Sequence, residues 1–320
     1  MPEISPWMKT ILQFIINPAG GGGKAAKAWL KLKSELNKHS VSYTEHFTNS
    51  KGDAIEIVKK LAMLGEKHFV AVGGDGTAHE VANGILLAQE EGTATDAALC
   101  LFSCGTGNDW VREHQISTNI QKFVQAVNNP EYRFQDVGLI QYFDENKDKK
   151  SRYFINVAGL AYDAFVAKNT EGLKQGNFSG NFYLLHVFKN LLKYKPEKVL
   201  ITADNRTWSQ KVYTINIGQC RFSGGNMQLV PHAVFDSGHL AVTIADSMPK
   251  WEIILQTPKF YNGKLLQHPS ISGFECDEIQ INSLNNNEVL IEADGEYLGM
   301  TPVKIKNLSN RLKVFGINSR

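Results

Sequence analysis

The stretch Phe69-Val-Ala-Val-Gly-Gly-Asp-Gly-Thr77 decides how this chain is read. Phe69 to Val72 have the length and composition of a buried central strand, and glycines break it before Ala78-His-Glu-Val-Ala-Asn-Gly84 resumes in helical fashion. Glycines there let backbone N–H groups approach an anion closely, and the start of the next helix adds the positive end of its dipole. Asp75 inside such a turn repels bare phosphate unless it faces a cation or a substrate hydroxyl. The stretch therefore points to a metal-bearing nucleotide.

Working outward, glycine turns end two more apolar strands. Ile11 to Ile16 run into Asn17-Pro-Ala-Gly-Gly-Gly-Gly-Lys24, after which Ala25, Ala28, Trp29, Leu32 and Leu36 mark out a helical face. Ala25 follows Lys24 where a Walker loop carries a hydroxyl for magnesium, so this is not a true Walker loop. Ala97 to Phe102 run into Ser103-Cys-Gly-Thr-Gly-Asn-Asp109. Between them, Val41 to Phe47 form a strand, Thr48 to Asp53 a turn, and Ala54, Ile57, Val58, Leu61 and Ala62 the face of a helix. Strands and helices that alternate in this way form a parallel sheet, and ligands in open α/β sheets sit beyond the carboxyl ends of the strands. The three glycine turns are expected to share one crevice.

A chain of 320 residues exceeds one ordinary core, so two domains are expected. Lys plus Arg number 34 against 32 Asp plus Glu, a net charge of +2 that gives no support to a nucleic-acid binder. Cys100, Cys104, Cys220 and Cys276 are scattered and read as buried reduced thiols. No run approaches the roughly 18 apolar residues of a membrane span, and Met1 to Pro6 lack a signal-peptide pattern, so the expected location is the cytoplasm.

From about Arg133 the pattern changes. Strands over Phe134–Gln141, Tyr153–Val157, Val199–Ala203, Val212–Ile217, Leu240–Ile244, Ile279–Ile281 and Val289–Ile291 follow one another with few helices, which predicts an antiparallel two-layer β domain. The expected division is a nucleotide-binding domain over 1–130 and a β-rich domain over 131–301. Pro302–Leu308 and Arg311–Ile317 read as two short strands free to return to the first domain. The run Asp144 to Lys150 reads as a solvated hairpin loop. Gly180 to Lys195 has the spacing of an amphipathic helix, with Lys189, Lys193 and Lys195 placed to touch an anionic membrane if the helix does not simply pack on the β layers. Val289-Leu-Ile-Glu-Ala-Asp-Gly-Glu-Tyr297 brings a strand to a turn with Glu292, Asp294 and Glu296; spaced by two, these acids share a face if the strand persists, and otherwise form an ordinary Asp-Gly turn.

Gly73-Gly-Asp-Gly-Thr77 with Glu80 and Asn83-Gly84, Asn17-Pro18 with its glycines, Gly105-Thr-Gly-Asn-Asp109, Gly225-x-Met227 with Pro231-x-Ala233, and Asp294-Gly-Glu296 stand in the order seen in the diacylglycerol kinase catalytic family, which the chain resembles over nearly its whole length. The five-residue glycine motif alone is shared with NAD kinases and phosphofructokinases. The resemblance implies a Rossmann-like three-layer nucleotide-binding domain, an antiparallel β-sandwich-like second domain and an active site in a cleft between them. It implies ATP contacts from Asn17, Pro18, Gly20, Gly21, Thr48, Gly73, Gly74, Asp75, Gly76, Thr77, Gly105, Thr106, Asn108 and Asp109, and a magnesium–triphosphate served by Asp75 and Asp109. It makes the Asp294-Gly-Glu296 turn the provider of the general base, without fixing which acid accepts the proton, and leaves Asp75 as a further candidate.

One departure stands out. Soluble bacterial relatives commonly carry Asp-Asp-Gly for a structural magnesium where this chain reads Phe235-Asp-Ser-Gly-His239. Ser237 replaces a carboxylate beside Asp236, and losing a charged oxygen weakens such a site.

The expected activity is an ATP- and Mg²⁺-dependent lipid kinase acting on diacylglycerol, with a sphingoid base or another lipid as alternatives. Peripheral membrane contact is implied, and a homodimer is left open. An NAD kinase-like enzyme and a nucleotide-binding regulatory protein without turnover are the competing expectations.

Overall fold

The computed structural model describes residues 11–93, 96–105, 107–170, 189–284 and 288–317. It divides into two compact units, one of Met1–Gly105, Gln115–Arg133 and Lys313–Arg320, the other of Thr106–His114 and Phe134–Leu312.

In the first unit β1 (Leu12–Ile16), α1 (Gly20–Lys38), β2 (Tyr43–Phe47), α2 (Asp53–Met63), β3 (His68–Gly73), α3 (Asp75–Glu90) and β4 (Ala98–Ser103) alternate. The strands pair in parallel in the order β2-β1-β3-β4. Lys313 and Val314, near the end of the chain, add one more parallel partner beside Ala98 and Leu99. Every residue of β1 is buried and only His68 of β3 is not, as expected of parallel strands covered on both faces. Trp29 of α1 packs on Phe14 with ring centroids 4.9 Å apart and donates its indole N–H to Glu45 at 2.9 Å. Helices α2 and α3 approach closely at Gly84, where an added Cβ would lie 2.7 Å from the Ile55 carbonyl oxygen. A further helix, α5 (Ile120–Asn128), follows a short α4 (Asp109–Glu113) that belongs to the second unit.

The second unit is predominantly antiparallel β. Its strands are β5 (Tyr132–Phe143), β6 (Lys149–Phe154), β7 (Val157–Ala161), β8 (Glu197–Ala203), β9 (Arg206–Gly218), the short β10 (Phe222–Ser223) and β11 (Met227–Gln228), β12 (Leu240–Asp246), β13 (Ile271–Cys276), β14 (Glu278–Ser283), β15 (Leu290–Ala293) and β16 (Glu296–Phe315). The pairings β9-β8-β14-β16-β15-β7-β9 close on themselves, with β12 and β13 added outside β9. The two expected layers are thus joined, because β9 and β16 are long enough to take part in both. Inside the circuit lies one apolar core that includes Phe154, Leu160, Ile201, Ile215, Ile279, Ile291 and Ile305.

One expectation differs from what is observed. The two short strands read at Pro302–Leu308 and Arg311–Ile317 are one strand, β16, which absorbs a left-handed residue at Asn310 (φ 52°) without ending. The few helices expected here include α6 (Tyr162–Thr170) and α7 (Lys250–Asn262). The helix expected over Gly180–Lys195 lies mostly outside the described residues; 189–193 are helical. The run from Asp144 to Lys150 forms the expected hairpin loop between β5 and β6, with Lys149 and Lys150 already in β6 and the turn backbone held by the Asp144 carboxylate.

Candidate active-site residues

In the first unit the three glycine turns meet at the carboxyl end of the sheet. Asn17 N–H donates to the Val72 carbonyl at 3.0 Å, Thr48 N–H to Ile16 at 2.9 Å and Cys104 N–H to Gly73 at 2.6 Å, so the chain leaves β1, β2 and β4 tied to its neighbours. Asn17 Nδ2 lies 3.3 Å from Thr77 Oγ1, linking the first turn to the start of α3.

Close packing explains most of the glycines. A Cβ on Gly20 would stand 3.2 Å from Gly73 Cα; one on Gly21, where φ is 61°, would overlap the Cys104 carbonyl oxygen; one on Gly73 would overlap Thr77 Oγ1. Gly74 faces Gly105 Cα at 3.5 Å. Gly76 is different: it is exposed in the first turn of the 16-residue α3, and an added Cβ would meet nothing within 4 Å. At a helix start, whose first N–H groups lack intrahelical partners, that open space suits an anion. Asp75 begins the same helix and is partly exposed. Asn17, Pro18, Gly20, Gly21, Thr48, Gly73 to Thr77 and Gly105 therefore belong to one cluster of turns, whereas Thr106 lies outside the described residues.

Asn108 and Asp109 belong to the second unit. Asp109 is buried, and its carboxylate accepts from Gly225 N at 2.8 Å, Asn226 N at 2.7 Å and Arg112 Nη1 at 2.9 Å. Its geometry is that of an anchor for the Gly225–Met227 turn, with both oxygens engaged.

The two acids of the Asp294-Gly-Glu296 turn have different surroundings. Asp294, at φ 50°, accepts from Ile155 N (2.9 Å), Asn156 N (2.9 Å) and Val157 N (3.2 Å), three successive donors at the β6–β7 junction. Glu296 is partly exposed, and its Oε2 lies 3.4 Å from Arg152 Nη2. Glu292 is buried and accepts from Gly295 N at 2.7 Å, closing the turn from behind. Of the two readings offered by the sequence, the Asp-Gly turn is the one observed: β15 ends at Ala293, the strand does not persist, and the three acids have three distinct settings.

Sequence reasoning missed Asp136, Asp163 and Glu113. Asp136, fully buried, accepts from Gly238 N at 2.6 Å and Asn310 N at 2.7 Å. Asp236 itself is exposed, and among the described residues no three His, Cys, Asp or Glu gather closely enough to hold a metal ion by themselves. Asp163 and Glu292 flank Gly159, where an added Cβ would lie 2.9 Å from Asp163 Cβ and 2.5 Å from Glu292 Oε1. Burial pushes the Asp163 carboxyl group above the usual carboxylate range, against the hydrogen bonds from Thr214 and Asn216 that act to lower it. Glu113 grips Arg221 through the side chain at 3.1 Å and accepts from its backbone N–H at 3.1 Å. A lone Asp or Glu carries no motif that announces such roles. All four cysteines are free thiols; desolvation raises the Cys104 thiol to about 11 and the Cys276 thiol to about 12.

Known proteins resemble this chain. Residues 12–140 match the diacylglycerol kinase catalytic domain, and residues 156–316 the YegS C-terminal NAD kinase beta sandwich-like domain. A diacylglycerol kinase of Staphylococcus haemolyticus (strain JCSC1435) is 24% identical over 307 residues, covering 96% of this chain and 88% of its own length. The crystal structure of a diacylglycerol kinase from Bacillus anthracis str. Sterne superposes with a TM-score of 0.70 at 19% identity, covering 97% of each chain. Yeast NADH kinase complexed with NADH superposes with a TM-score of 0.52 at 10% identity, covering 97% of this chain and 84% of its own. Both structural matches show likeness of fold.

Proposed function

The chain belongs to the diacylglycerol kinase catalytic family, and from that premise we propose that it transfers the γ-phosphoryl group of ATP to a lipid hydroxyl, with diacylglycerol the first candidate substrate. The observation that carries the reading is the contrast between Asp294 and Glu296. Phosphoryl transfer asks for positioning, charge neutralisation and a carboxylate that orients or deprotonates the attacking hydroxyl. Asp294 accepts from three successive backbone N–H groups, which fix it in the turn, whereas Glu296, equally part-exposed, lies beside the Arg152 guanidinium. Glu296 is therefore assigned as proton acceptor, Arg152 as the group that orients it, and Asp294 as the clamp that fixes the turn. Asp75 is the alternative acceptor.

The nucleotide phosphates are assigned to the start of α3, where Gly76 leaves space and Asn17 and Thr77 border the turn. Magnesium, when bound with the nucleotide, supplies charge neutralisation across the phosphate oxygens. The donor set fits a cation carried in on phosphate, with Asp75 as the carboxylate at the helix start, better than a cage built from protein ligands alone.

The test is incubation with γ-labelled ATP and a panel of diacylglycerol, sphingoid bases and NAD. Label in the lipid extract supports the reading. Label in NAD favours the NAD kinase-like alternative, which the likeness to the yeast NADH kinase keeps in play. Tight nucleotide binding without labelled product favours a regulatory protein.

A further inference from the structure

Helix α7 (Lys250–Asn262) has no buried residue although it is rich in apolar side chains. Its inward side is accounted for: Ile253 and Phe260 pack on a small cluster of Met248, Leu265 and Ile271, and Glu252 Oε1 lies 3.0 Å from His268 Nε2. Its outward side is not. Trp251 is 64% exposed, Leu255 66% and Ile254 44%, and Pro258 continues the stripe one turn on. The spacing 251, 254/255, 258 places these residues on one face.

The patch extends beyond the helix. Lys250 Nζ donates to the carbonyl oxygen of Leu192, itself 69% exposed, and so joins α7 to the helical turn 189–193. Around this seam the exposed Lys189, Lys193 and Lys195 add to Lys250, and Lys259 stands one turn beyond Leu255 on α7. The one acid of the helix, Glu252, points inward to His268. An apolar stripe with an indole, rimmed by cations whose acidic neighbour is withdrawn, has the composition of a helix that lies in a bilayer interface, where the stripe enters the acyl boundary and the lysines reach anionic headgroups. A second protein copy fits less well. An apolar stripe one helix wide amounts to a few hundred Å², short of the roughly 800 Å² per partner that a stable protein interface buries.

We propose that the outward face of α7, with Leu192 and the lysines beside it, is the surface on which this protein rests on an anionic lipid bilayer. The proposal builds on the lipid-kinase reading and gives that activity its route to a membrane-embedded substrate; among the described residues no helix is long and apolar enough to cross a membrane.

The experiment is co-sedimentation of the full chain with phosphatidylcholine vesicles and with mixed phosphatidylcholine–phosphatidylglycerol vesicles. It compares wild type, Trp251→Ser/Leu255→Ser and Lys189→Glu/Lys193→Glu, with melting temperature as the check on folding. Wild type is expected to bind the mixed vesicles, more weakly as salt rises, and both variants to lose about tenfold or more in partitioning, since each removes one of the two attractions an interfacial helix uses. Phosphorylation of a short-chain diacylglycerol in free solution is expected to stay unchanged while that of a vesicle-borne one falls. Equal binding by wild type and variants overturns the proposal, as does no wild-type binding to either vesicle. A wild-type dimer that the Trp251→Ser/Leu255→Ser change dissociates in sedimentation velocity also overturns it, in favour of a second copy as occupant. If no lipid is phosphorylated in any form yet the variants lose vesicle binding, the docking surface stands and the kinase reading fails.

Discussion

Asp294 and Val157 hold each other reciprocally: Asp294 N–H donates to the Val157 carbonyl at 2.9 Å, and Val157 N–H donates to Asp294 Oδ1 at 3.2 Å. With Ile155 and Asn156 also donating to this carboxylate, the side chain acts as the acceptor for three successive backbone N–H groups. Asp294→Asn keeps a residue that tolerates positive φ but replaces one acceptor oxygen with a donor. The expected cost is about 2–3 kcal/mol, as for loss of hydrogen bonds to a charged group. Glu296→Gln is expected to leave the melting temperature nearly unchanged while lowering turnover by about 10²–10⁴-fold, the usual contribution of a general base. Thermal melts and initial rates on both variants check the division; a fully active Glu296→Gln would return the role of base to Asp75.

Gly21 and Gly76 separate packing from ligand contact. Gly21→Ala drives a Cβ into the Cys104 carbonyl at a left-handed position and is expected to destabilise the protein by more than about 1 kcal/mol. Gly76→Ala meets no atom within 4 Å and replaces the poorest ordinary helix former by the best, so its melting temperature should hold or rise. If phosphate lies against that turn, the same methyl group weakens nucleotide binding. Calorimetric titration with ATP on the two variants distinguishes the effects: stable but weak-binding Gly76→Ala is expected, and unchanged affinity would move the phosphates elsewhere.

Asp163 gives the fold a pH signature. Its folded-state carboxyl is raised by burial above its unfolded value, so the native state holds the proton more tightly than the unfolded chain. Stability from this residue is therefore fully present below the ordinary carboxylate range, near pH 4, and is lost as pH rises through the raised value. Asp163→Asn mimics the protonated acid. Its melting temperature relative to wild type should increase from about pH 4 to about pH 8, by a few degrees for each kcal/mol involved. A difference that does not change with pH would count against this account.

Asp109 is expected to behave as an anchor. Asp109→Asn weakens the ties to Gly225, Asn226 and Arg112 and should cost about 2 kcal/mol of stability. The Mg²⁺ concentration giving half-maximal activity should stay where it is in the wild type. A large rise in that concentration with unchanged stability would restore the metal role that the family resemblance suggested.

What the sequence disclosed follows from where the information sits along the chain. Strands β1, β3 and β4 are buried on both faces and so read as plain apolar runs, and α1 and α2 carry strong helical spacing; all five were legible. Helix α7 was not, because it is apolar on its outward as well as its inward side and carries Pro258 within it, which erases the period and signals a break. In the candidate site, the meeting of three glycine turns was legible from their positions at strand ends. The reason for most of those glycines was not: Gly21 answers to a carbonyl on another turn and Gly73 to Thr77, so contact between segments, more than room for phosphate, excludes a side chain there. The different settings of Asp294 and Glu296 were likewise hidden, since the donors that distinguish them come from about 138 residues earlier in the chain.

The closed circuit of strands in the second unit imposes an order on synthesis. Strand β7 must wait for β15, and β8 for β14, while β16 supplies the last member of the ring and then, through Lys313 and Val314, the last strand of the first unit's sheet. A nascent chain halted before Glu296 exposes unpaired strand edges in both units at once, the kind of surface that recruits other chains. Neither unit is complete until β16 has left the ribosome, so both should acquire protection from proteolysis together, with the slow folding that distant pairings impose.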